Sequence, residues 1–289
     1  MQNDLTIVIP AYNESASIPH VLPAVLKFCE EKNCYAIVVN DGSKDSSKAE
    51  LAKFSDSPRL KVVHNKLNKG YGGAIKTGLL QVDTTYAITI DADGQHYLDD
   101  VEKLYNEITS KDADMIVGSR KGHTSASYYK GLGKWLIRNT ARLLMQISIY
   151  DINSGMKIYN AELAKKYISF YPDSMAYSDI IALVFLSQRH LVLETPISIR
   201  PRRDGKSTIS TLTAFETVKQ ILNMVMLFNP MRIFFPVALT CILISLAWGF
   251  PIAISGRGVS IGSMMGIVTG IIFFILGLIS EQLSLIRKK

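Results

Sequence analysis

Two long apolar stretches near the carboxyl terminus constrain this chain more than any other feature of its sequence. Neither Ile233–Ile254 nor Val259–Ser280 contains an Asp, Glu, Lys, Arg or His, and the connection between them holds a single charge, Arg257. Each stretch exceeds the roughly 20 apolar residues that a helix needs to cross the hydrocarbon core of a bilayer. Two helices buried in a large core are the alternative, but the length and the lack of polar faces favour a transmembrane hairpin.

Most basic residues near the two predicted spans lie on one side, whereas the turn on the other side carries Arg257 alone. The residues on the basic side are Arg202, Arg203, Lys206, Lys219, Arg232, Arg287, Lys288 and Lys289. The positive-inside rule therefore predicts a multi-pass protein of the inner (cytoplasmic) membrane, with residues 1–230 and both termini in the cytoplasm. Because Met1–Asp4 leads directly into an apolar strand, no signal peptide is expected.

The net charge of +7 is compatible with nucleic acid, anionic lipid or a phosphorylated substrate as a partner. Since the chain has predicted membrane spans, lipid headgroups and phosphates explain this charge most simply. We therefore expect a membrane and phosphorylated ligands as partners, and no nucleic acid.

The first half of the chain alternates short apolar runs with amphipathic stretches. The predicted strands are Leu5–Pro10, Tyr35–Val39, Leu60–Val63, Tyr86–Ile90 and Asp114–Val117. The predicted helices between them are Ser17–Glu31, Ser46–Phe54, Gly70–Gln81 and Leu98–Ser110. This alternation predicts an α/β domain with a mostly parallel, Rossmann-like sheet that is covered by helices on both faces.

Polar residues follow the predicted strands at one edge of this sheet. They lie in Tyr12–Ser15, Asn40–Ser43, Asp91–His96 and Gly118–Arg120. Each segment alone is typical of a turn or a helix cap. Because ligands of such sheets bind beyond the carboxyl ends of the strands, several polar loops at one edge favour a binding site.

Asp91 and Asp93 form the sharpest motif, an Asp-x-Asp at the end of the fourth predicted strand. A departing nucleotide diphosphate builds up negative charge, which a hard divalent cation held by carboxylates neutralises. We therefore predict a divalent-cation site formed by Asp91 and Asp93, where Gln95 adds a neutral oxygen ligand or contacts the substrate. The alternative is an acidic turn that caps the helix beginning at Leu98.

Further motifs surround Asp91 and Asp93 in a recurring order. They are Pro10-Ala11-Tyr12-Asn13-Glu14, Asn40-Asp41-Gly42-Ser43-x-Asp45, Asn68-Lys69-Gly70-x-Gly72-Gly73-Ala74, Asp91–His96, Asp151-x-Asn153-Ser154-Gly155-Met156-Lys157 and Arg202-x-x-Gly205-x-Ser207. Over about residues 4–210 this pattern resembles family 2 glycosyltransferases, in the polyprenyl-phosphate hexosyltransferase branch that includes dolichol-phosphate mannose synthases and bactoprenol glucosyltransferases. The resemblance implies a GT-A fold, a Mg²⁺ or Mn²⁺ cofactor, a UDP- or GDP-hexose donor and an undecaprenyl or dolichyl phosphate acceptor.

The resemblance also implies roles for individual residues. The base and ribose would be held by Pro10, Tyr12, Glu14 and Asp41, and the metal and diphosphate by Asp91, Asp93 and Gln95. Lys69 would lie near the donor in a loop that opens a helix, although an ordinary helix entry is equally compatible. Asp41 has an alternative role as an Asx-turn or helix-cap residue. The candidate catalytic residues are Asp91, Asp93, Arg120 and Arg138, with Arg120 near the diphosphate.

A stripe of basic residues is predicted to meet the acceptor. Lys130, Lys134, Arg138 and Arg142 recur every four residues, so they share one face of a helix that is otherwise largely apolar. This pattern is typical of an interfacial helix, with a solvated charged face as the alternative. In the resembling family, a helix at this place supplies arginine to the lipid phosphate.

Arg202, Arg203 and Lys206 are further candidates for phosphate binding. The family pattern Arg-x-x-Gly-x-Ser-Lys has Thr208 in its last position here, and Lys206 lies two positions earlier. The sequence therefore leaves open which cation contacts the phosphates, and a positive-inside flank explains the same residues.

Together these features predict a cytoplasmic GT-A catalytic domain (1–210), an interfacial helix (211–230) and two transmembrane helices with a basic tail (231–289). The resemblance implies inverting transfer of a hexose to polyprenyl phosphate, giving a lipid-linked sugar donor for cell-envelope glycans. The alternatives are a processive polysaccharide synthase, whose Gln-x-x-Arg-Trp motif the sequence lacks, and a non-catalytic nucleotide-sugar-binding membrane adaptor. Two spans of modest polarity also allow association into a homo-oligomer.

Overall fold

The computed structural model describes residues 3–120, 149–200 and 228–287, together with positions 219, 222, 223, 225 and 226. The described residues fall into two compact units, one made of 3–120 and 149–200 and the other of 228–287. Within the predicted interfacial helix 211–230, positions 219, 222, 223, 225, 226 and 228 are helical, and most of the remainder lies outside the described residues. The predicted boundaries of the catalytic domain (1–210), the interfacial helix (211–230) and the transmembrane part (231–289) stay predictions.

The first unit alternates strands and helices as the sequence predicts. Its strands are β1 (Leu5–Ala11), β2 (Tyr35–Asn40), β3 (Leu60–His64), β4 (Tyr86–Thr89), β5 (Met115–Ser119), β6 (Lys157–Asn160) and β7 (Val192–Pro196). Its helices are α1 (Ile18–Lys32), α2 (Ser47–Ala52), α3 (Tyr71–Leu79), α4 (Leu98–Lys111), α5 (Ala161–Lys166) and α6 (Tyr177–Ser187). A short 3₁₀ turn, Ile168–Phe170, follows α5. The elements from β6 to β7 were not predicted.

The strands form one seven-stranded sheet in the order β3-β2-β1-β4-β6-β5-β7. All neighbours pair in parallel except β6, which runs antiparallel to both β4 and β5. Ile158 in β6 lies opposite Ile88 in β4 and Ile116 in β5. The predicted α/β class with a mostly parallel sheet is therefore confirmed, and the reversed β6 interrupts the parallel order.

The two faces of the sheet differ in polarity. α1 and α4 cover an apolar face, whose buried strand residues include Ile7, Val38, Ile88, Ile116 and Ile158. α3 packs on β1 and β2, and α6 packs on β5 and β7. Because side chains alternate along a strand, Thr89, Ser119 and Lys157 belong to the face opposite the isoleucines, and all three are buried. Buried polar groups thus collect on one face, near the carboxyl ends of β4 and β5.

The second unit is a helical hairpin of α7 (Met231–Ile254) and α8 (Ile261–Arg287). Both helices are long and apolar enough to cross a membrane by length and composition, with mean hydropathies of 2.2 and 2.3. α8 continues past the predicted end at Ser280, because Glu281 ends the apolar stretch without breaking helical geometry. The predicted pair of apolar helices is confirmed.

Small residues let α7 and α8 approach each other closely. A Cβ atom added at Gly266 would lie 1.9 Å from Ser245 Oγ, so a larger residue there would displace the Ser245 side chain. The Ser263 hydroxyl donates to the Ser245 carbonyl at 2.7 Å. Glycine and serine contacts of this kind are typical of helix pairs in membranes, where an apolar surface alone does not drive association.

Candidate active site

The predicted site residues of the first unit gather at the carboxyl ends of β1, β2, β4 and β5. Pro10 is buried within β1, and Tyr12, just after it, is 41% exposed. Asp41 follows β2, and Arg120 follows β5. The parallel arrangement of β1, β2 and β4 therefore brings together loops that lie far apart in sequence.

Two of these loops are tied to each other directly. The backbone N–H of Asn13 donates to Ser43 Oγ at 3.0 Å, and that of Glu14 donates to Ser47 Oγ at 2.9 Å. The Glu14 carboxylate itself accepts the Ser17 hydroxyl at 2.7 Å. The predicted base and ribose residues Tyr12 and Glu14 thus stand on a segment that the neighbouring loop holds in place.

Asp41 is 2% exposed, and its carboxylate is used within the protein. It accepts the backbone N–H groups of Lys69 at 3.0 Å and Gly70 at 2.9 Å, and the side-chain amide of Asn65 at 2.7 Å. These bonds fix the loop before α3. The structure therefore shows Asp41 organising the Lys69 loop, while its predicted contact with ribose stays a prediction. The Lys69 side chain is exposed.

Asp91 lies just beyond β4 and is enclosed by three different segments. The Tyr71 hydroxyl donates to Oδ1 at 2.9 Å, and His96 Nε2 lies 3.5 Å from Oδ2. A Cβ atom added at Gly155 would come within 2.7 Å of Oδ2, so a larger residue on this third side would displace the carboxylate. Burial alone would raise the pKa of Asp91. The hydrogen bonds from His96 and Tyr71, together with the charges of His96 and Arg120, have the larger combined effect and hold this pKa below its usual value. Asp91 is therefore a carboxylate at neutral pH.

Asp93 and Gln95 continue the same loop. The Gln95 N–H donates to Asp93 Oδ1 at 3.1 Å, and the Gln95 carbonyl accepts the N–H of Arg200 at 2.9 Å. The Arg200 guanidinium lies 4.3 Å from the centre of the Tyr97 ring. The segment after β7 therefore braces the loop that carries the predicted metal ligands.

A cavity of about 360 Å³ opens beside this loop. α1 lines one side of it, and Asp91, Asp93, His96 and Arg200 line the other. Its volume is in the range of small-ligand sites, which begins at about 300 Å³. The two predicted metal carboxylates thus border a space that a ligand can enter.

The oxygen atoms of Asp91, Asp93 and Gln95 suit a hard divalent cation. Within residues 3–120, 149–200 and 228–287, no group of three or more His, Cys, Asp or Glu side chains is placed to hold a metal. Mg²⁺ commonly takes one or two carboxylates and completes its shell with water and substrate phosphates. This donor set therefore fits a cation that binds together with a diphosphate.

Arg120 forms a fork with Asp151. Its Nε and Nη2 donate to Asp151 Oδ2 and Oδ1 at 2.7 and 2.8 Å, and Nη2 also donates to Asn153 Oδ1 at 2.6 Å. Burial alone would raise the pKa of Asp151. The hydrogen bonds and the positive charge of Arg120 have the larger effect, so this pKa lies below its usual value. Among the described residues no acceptor bonds to Nη1.

Two buried titratable residues near Asp91 and Arg120 were not predicted. Lys157 in β6 is 1% exposed and Asp179 in α6 is 4% exposed. Burial lowers the pKa of Lys157 and raises the pKa of Asp179, while their mutual attraction opposes both shifts. The motif around Ser154 contains Lys157, but no spacing in the sequence links Lys157 to Asp179.

Several predicted acceptor residues fall outside the part of the chain that the structure describes. They are Lys130, Lys134, Arg138, Arg142, Arg202, Arg203 and Lys206. Their predicted contacts with the lipid phosphate stay predictions. Tyr71, His96 and Asp151 were missed as supporting residues, although His96 and Asp151 belong to motifs that the sequence displays.

Two family models match the chain. The model described as "Glycosyl transferase family 2" matches residues 6–168, and the model described as "GtrB C-terminal hairpin" matches residues 229–286. The first match spans the sheet from β1 to β6 and includes Asp91, Asp93 and Arg120. The second match coincides with α7 and α8.

Curated relatives are similar over about two thirds of the chain. "Dolichyl-phosphate beta-glucosyltransferase" of Dictyostelium discoideum is 26% identical over 214 residues, covering 67% of this chain and 64% of that protein. This chain thus corresponds to slightly less than two thirds of that relative's length. "Polyprenol monophosphomannose synthase" of Mycolicibacterium smegmatis is 30% identical over 216 residues, covering 71% of this chain and 80% of that protein.

Solved structures share the fold. Glucosyl-3-phosphoglycerate synthase from Mycobacterium tuberculosis, in complex with Mn²⁺, UDP-glucose and phosphoglyceric acid, superposes with a TM-score of 0.57 at 16% identity. The superposition covers 77% of this chain and 80% of that one. At this identity the likeness concerns the fold alone, and the predicted GT-A fold is confirmed.

Proposed function

This chain belongs to glycosyl transferase family 2, and we propose that it transfers a hexose from a nucleotide-diphosphate sugar to a polyprenyl phosphate, with inversion at the anomeric carbon. One observation carries the proposal. Asp91, Asp93 and Arg120 lie at one sheet edge, in the same chain as a hairpin that matches the GtrB model. Relatives that carry the names of dolichyl-phosphate and polyprenol-phosphate sugar transferases support the same reaction.

The acceptor chemistry explains why the site can work without a strong base. A phosphate monoester is largely a dianion at neutral pH, since its second pKa is about 6. A phosphate oxygen attacks the anomeric carbon while the bond from that carbon to the diphosphate oxygen breaks, and the electron pair leaves with the diphosphate. The protein then has to orient two anions and reduce their mutual repulsion.

Different residues of the first unit would bind the cation, the diphosphate and the nucleotide. Asp91 and Asp93, with Gln95, would hold Mg²⁺ or Mn²⁺, which when bound neutralises charge on the diphosphate. Arg120 is held by Asp151 through Nε and Nη2, and its Nη1 would meet the diphosphate. The nucleotide would be held on the β1 and β2 side by Pro10, Tyr12, Glu14, Asp41 and Lys69.

The membrane and acceptor parts of the proposal rest on the sequence. α7 and α8 would cross the inner membrane with the catalytic unit and both termini in the cytoplasm, as the flanking basic residues predict. The acceptor phosphate would be bound by basic residues of two segments, namely Lys134, Arg138, Arg142, Arg202, Arg203 and Lys206. The hairpin would also be the surface through which copies associate.

Membranes that contain the full chain should transfer label from one donor in a panel of radiolabelled UDP- and GDP-hexoses to added undecaprenyl phosphate. Chelation of divalent cations by EDTA should abolish the transfer, and Mn²⁺ or Mg²⁺ should restore it. The measurement is label in the chloroform-soluble fraction, with membranes lacking the chain as the control. If no donor gives lipid-soluble label although the nucleotide binds, the acceptor assignment fails and a nucleotide-binding adaptor becomes the better account.

A further inference from the structure

We propose that Tyr71 is a positioning residue for the divalent cation and the nucleotide diphosphate, because its hydroxyl fixes the orientation of the Asp91 carboxylate. The inference rests on the proposed function, since it assumes that Asp91 serves a cation–diphosphate complex. It adds a residue of α3 to a site whose predicted ligands all lie in the loop after β4.

The contact itself is well placed for this role. The Tyr71 hydroxyl donates to Oδ1 of Asp91 at 2.9 Å, while His96 Nε2 lies 3.5 Å from Oδ2. Gly155 closes the third side, where a Cβ atom would come within 2.7 Å of Oδ2. A carboxylate has about four lone-pair sites, so it can accept these partners and still bind a cation. The rotation of the Asp91 side chain is thereby restricted before any ligand arrives.

Hydrogen bonds from two sides fix the start of α3, and with it the position of Tyr71. On one side, Asp41 accepts the N–H groups of Lys69 and Gly70 at 3.0 and 2.9 Å. On the other side, the N–H of Gly73 donates to the Asp173 carbonyl at 3.1 Å. A Cβ atom at Gly72 would lie 2.1 Å from the Pro172 carbonyl oxygen, so the helix packs directly on this segment.

Tyr71 acts on the cation through the Asp91 carboxylate, to which its hydroxyl donates a hydrogen bond. Partners that orient a ligand in this way commonly change metal affinity by about 10- to 100-fold when removed.

The test compares Tyr71→Phe with Tyr167→Phe in the full chain. Tyr167 is a matched control, because its hydroxyl bonds His190 Nε2 at 3.0 Å in the same unit, near the amino ends of β5 and β7. Mn²⁺ binding is followed by the electron paramagnetic resonance signal of free Mn²⁺, at saturating UDP and, in a parallel titration, GDP. Thermal midpoints of both variants are recorded with the same samples.

Tyr71→Phe should weaken Mn²⁺ binding about tenfold, and Tyr167→Phe should leave it unchanged. Transfer by Tyr71→Phe should recover towards the wild-type kcat at high Mn²⁺, because the effect lies in affinity. Wild-type Mn²⁺ affinity in Tyr71→Phe overturns the inference, and so does an equal loss in both variants. If the wild-type chain shows no saturable Mn²⁺ binding, the cation site assumed in the proposed function is wrong. The role proposed for Tyr71 is then wrong as well.

Discussion

Asp93→Asn should lower the rate of hexose transfer by at least about a hundredfold, the usual cost of removing one electrostatic element that stabilises a leaving group. The substitution keeps the shape of the side chain and its ability to accept the Gln95 N–H, but removes the negative charge that would hold the cation. Folding should therefore be preserved while cation binding and transfer fail together. The measurement is initial velocity at saturating donor and acceptor, with Mn²⁺ varied.

Asp83→Asn provides the matched control for this prediction. Asp83 is an exposed carboxylate just before β4, at the end of the strand opposite to Asp91 and Asp93. Its substitution should leave both the velocity and the Mn²⁺ dependence unchanged. Near-normal transfer by Asp93→Asn would contradict the assignment of Asp93 to the cation and would point to a metal-independent reaction.

Arg120→Met should destabilise the chain by about 3–5 kcal/mol, the range seen when one partner of a buried ion pair is removed. The Arg120 side chain is 28% exposed and that of Asp151 is 10% exposed, so the substitution leaves a largely buried carboxylate without its cation. It also removes the bonds of Nη2 to Asp151 and Asn153. The measurement is the thermal midpoint of the full chain in detergent micelles, with transfer activity assayed in parallel.

The double variant Arg120→Met/Asp151→Leu separates stability from function. Because it leaves no unpaired charge, it should recover much of the lost stability, yet transfer should stay low since Nη1 is gone. Lys53→Met is the control, because it breaks an exposed Lys53–Glu50 pair and should change stability by less than about 1 kcal/mol. A double variant as unstable as Arg120→Met would contradict the account of the Asp151 charge.

The first five strands and their common direction could be predicted because they follow from local sequence. Short apolar runs alternate with amphipathic stretches, which specifies a parallel sheet, and a parallel sheet brings the carboxyl ends of its strands to one edge. The juxtaposition of Tyr12, Asp41, Asp91 and Arg120 then follows without knowledge of any contact. The hairpin could be predicted for a similar reason, since its length and composition are local properties.

The supporting contacts could not be predicted, because they join residues that are distant in sequence. Asp41 reaches the N–H groups of Lys69 and Gly70, and Tyr71 reaches Asp91, only after α3 has packed on β1 and β2. The placement of the buried Lys157 depends on β6 running antiparallel between β4 and β5. The direction of a strand leaves no periodic pattern in the sequence, so the antiparallel β6 could not be predicted. β6 also has only four residues.

The central claim is that a lipid phosphate, and no other group, receives the hexose. The most direct test is mass spectrometry of the chloroform-soluble product made by the purified full chain in proteoliposomes with undecaprenyl phosphate, Mn²⁺ and the active donor. We expect a species with the mass of undecaprenyl phosphate plus one hexosyl residue, and no hexosylated lipid when undecaprenol is supplied in place of undecaprenyl phosphate. A product carrying several hexoses, or donor consumption that releases only free hexose, would contradict this claim.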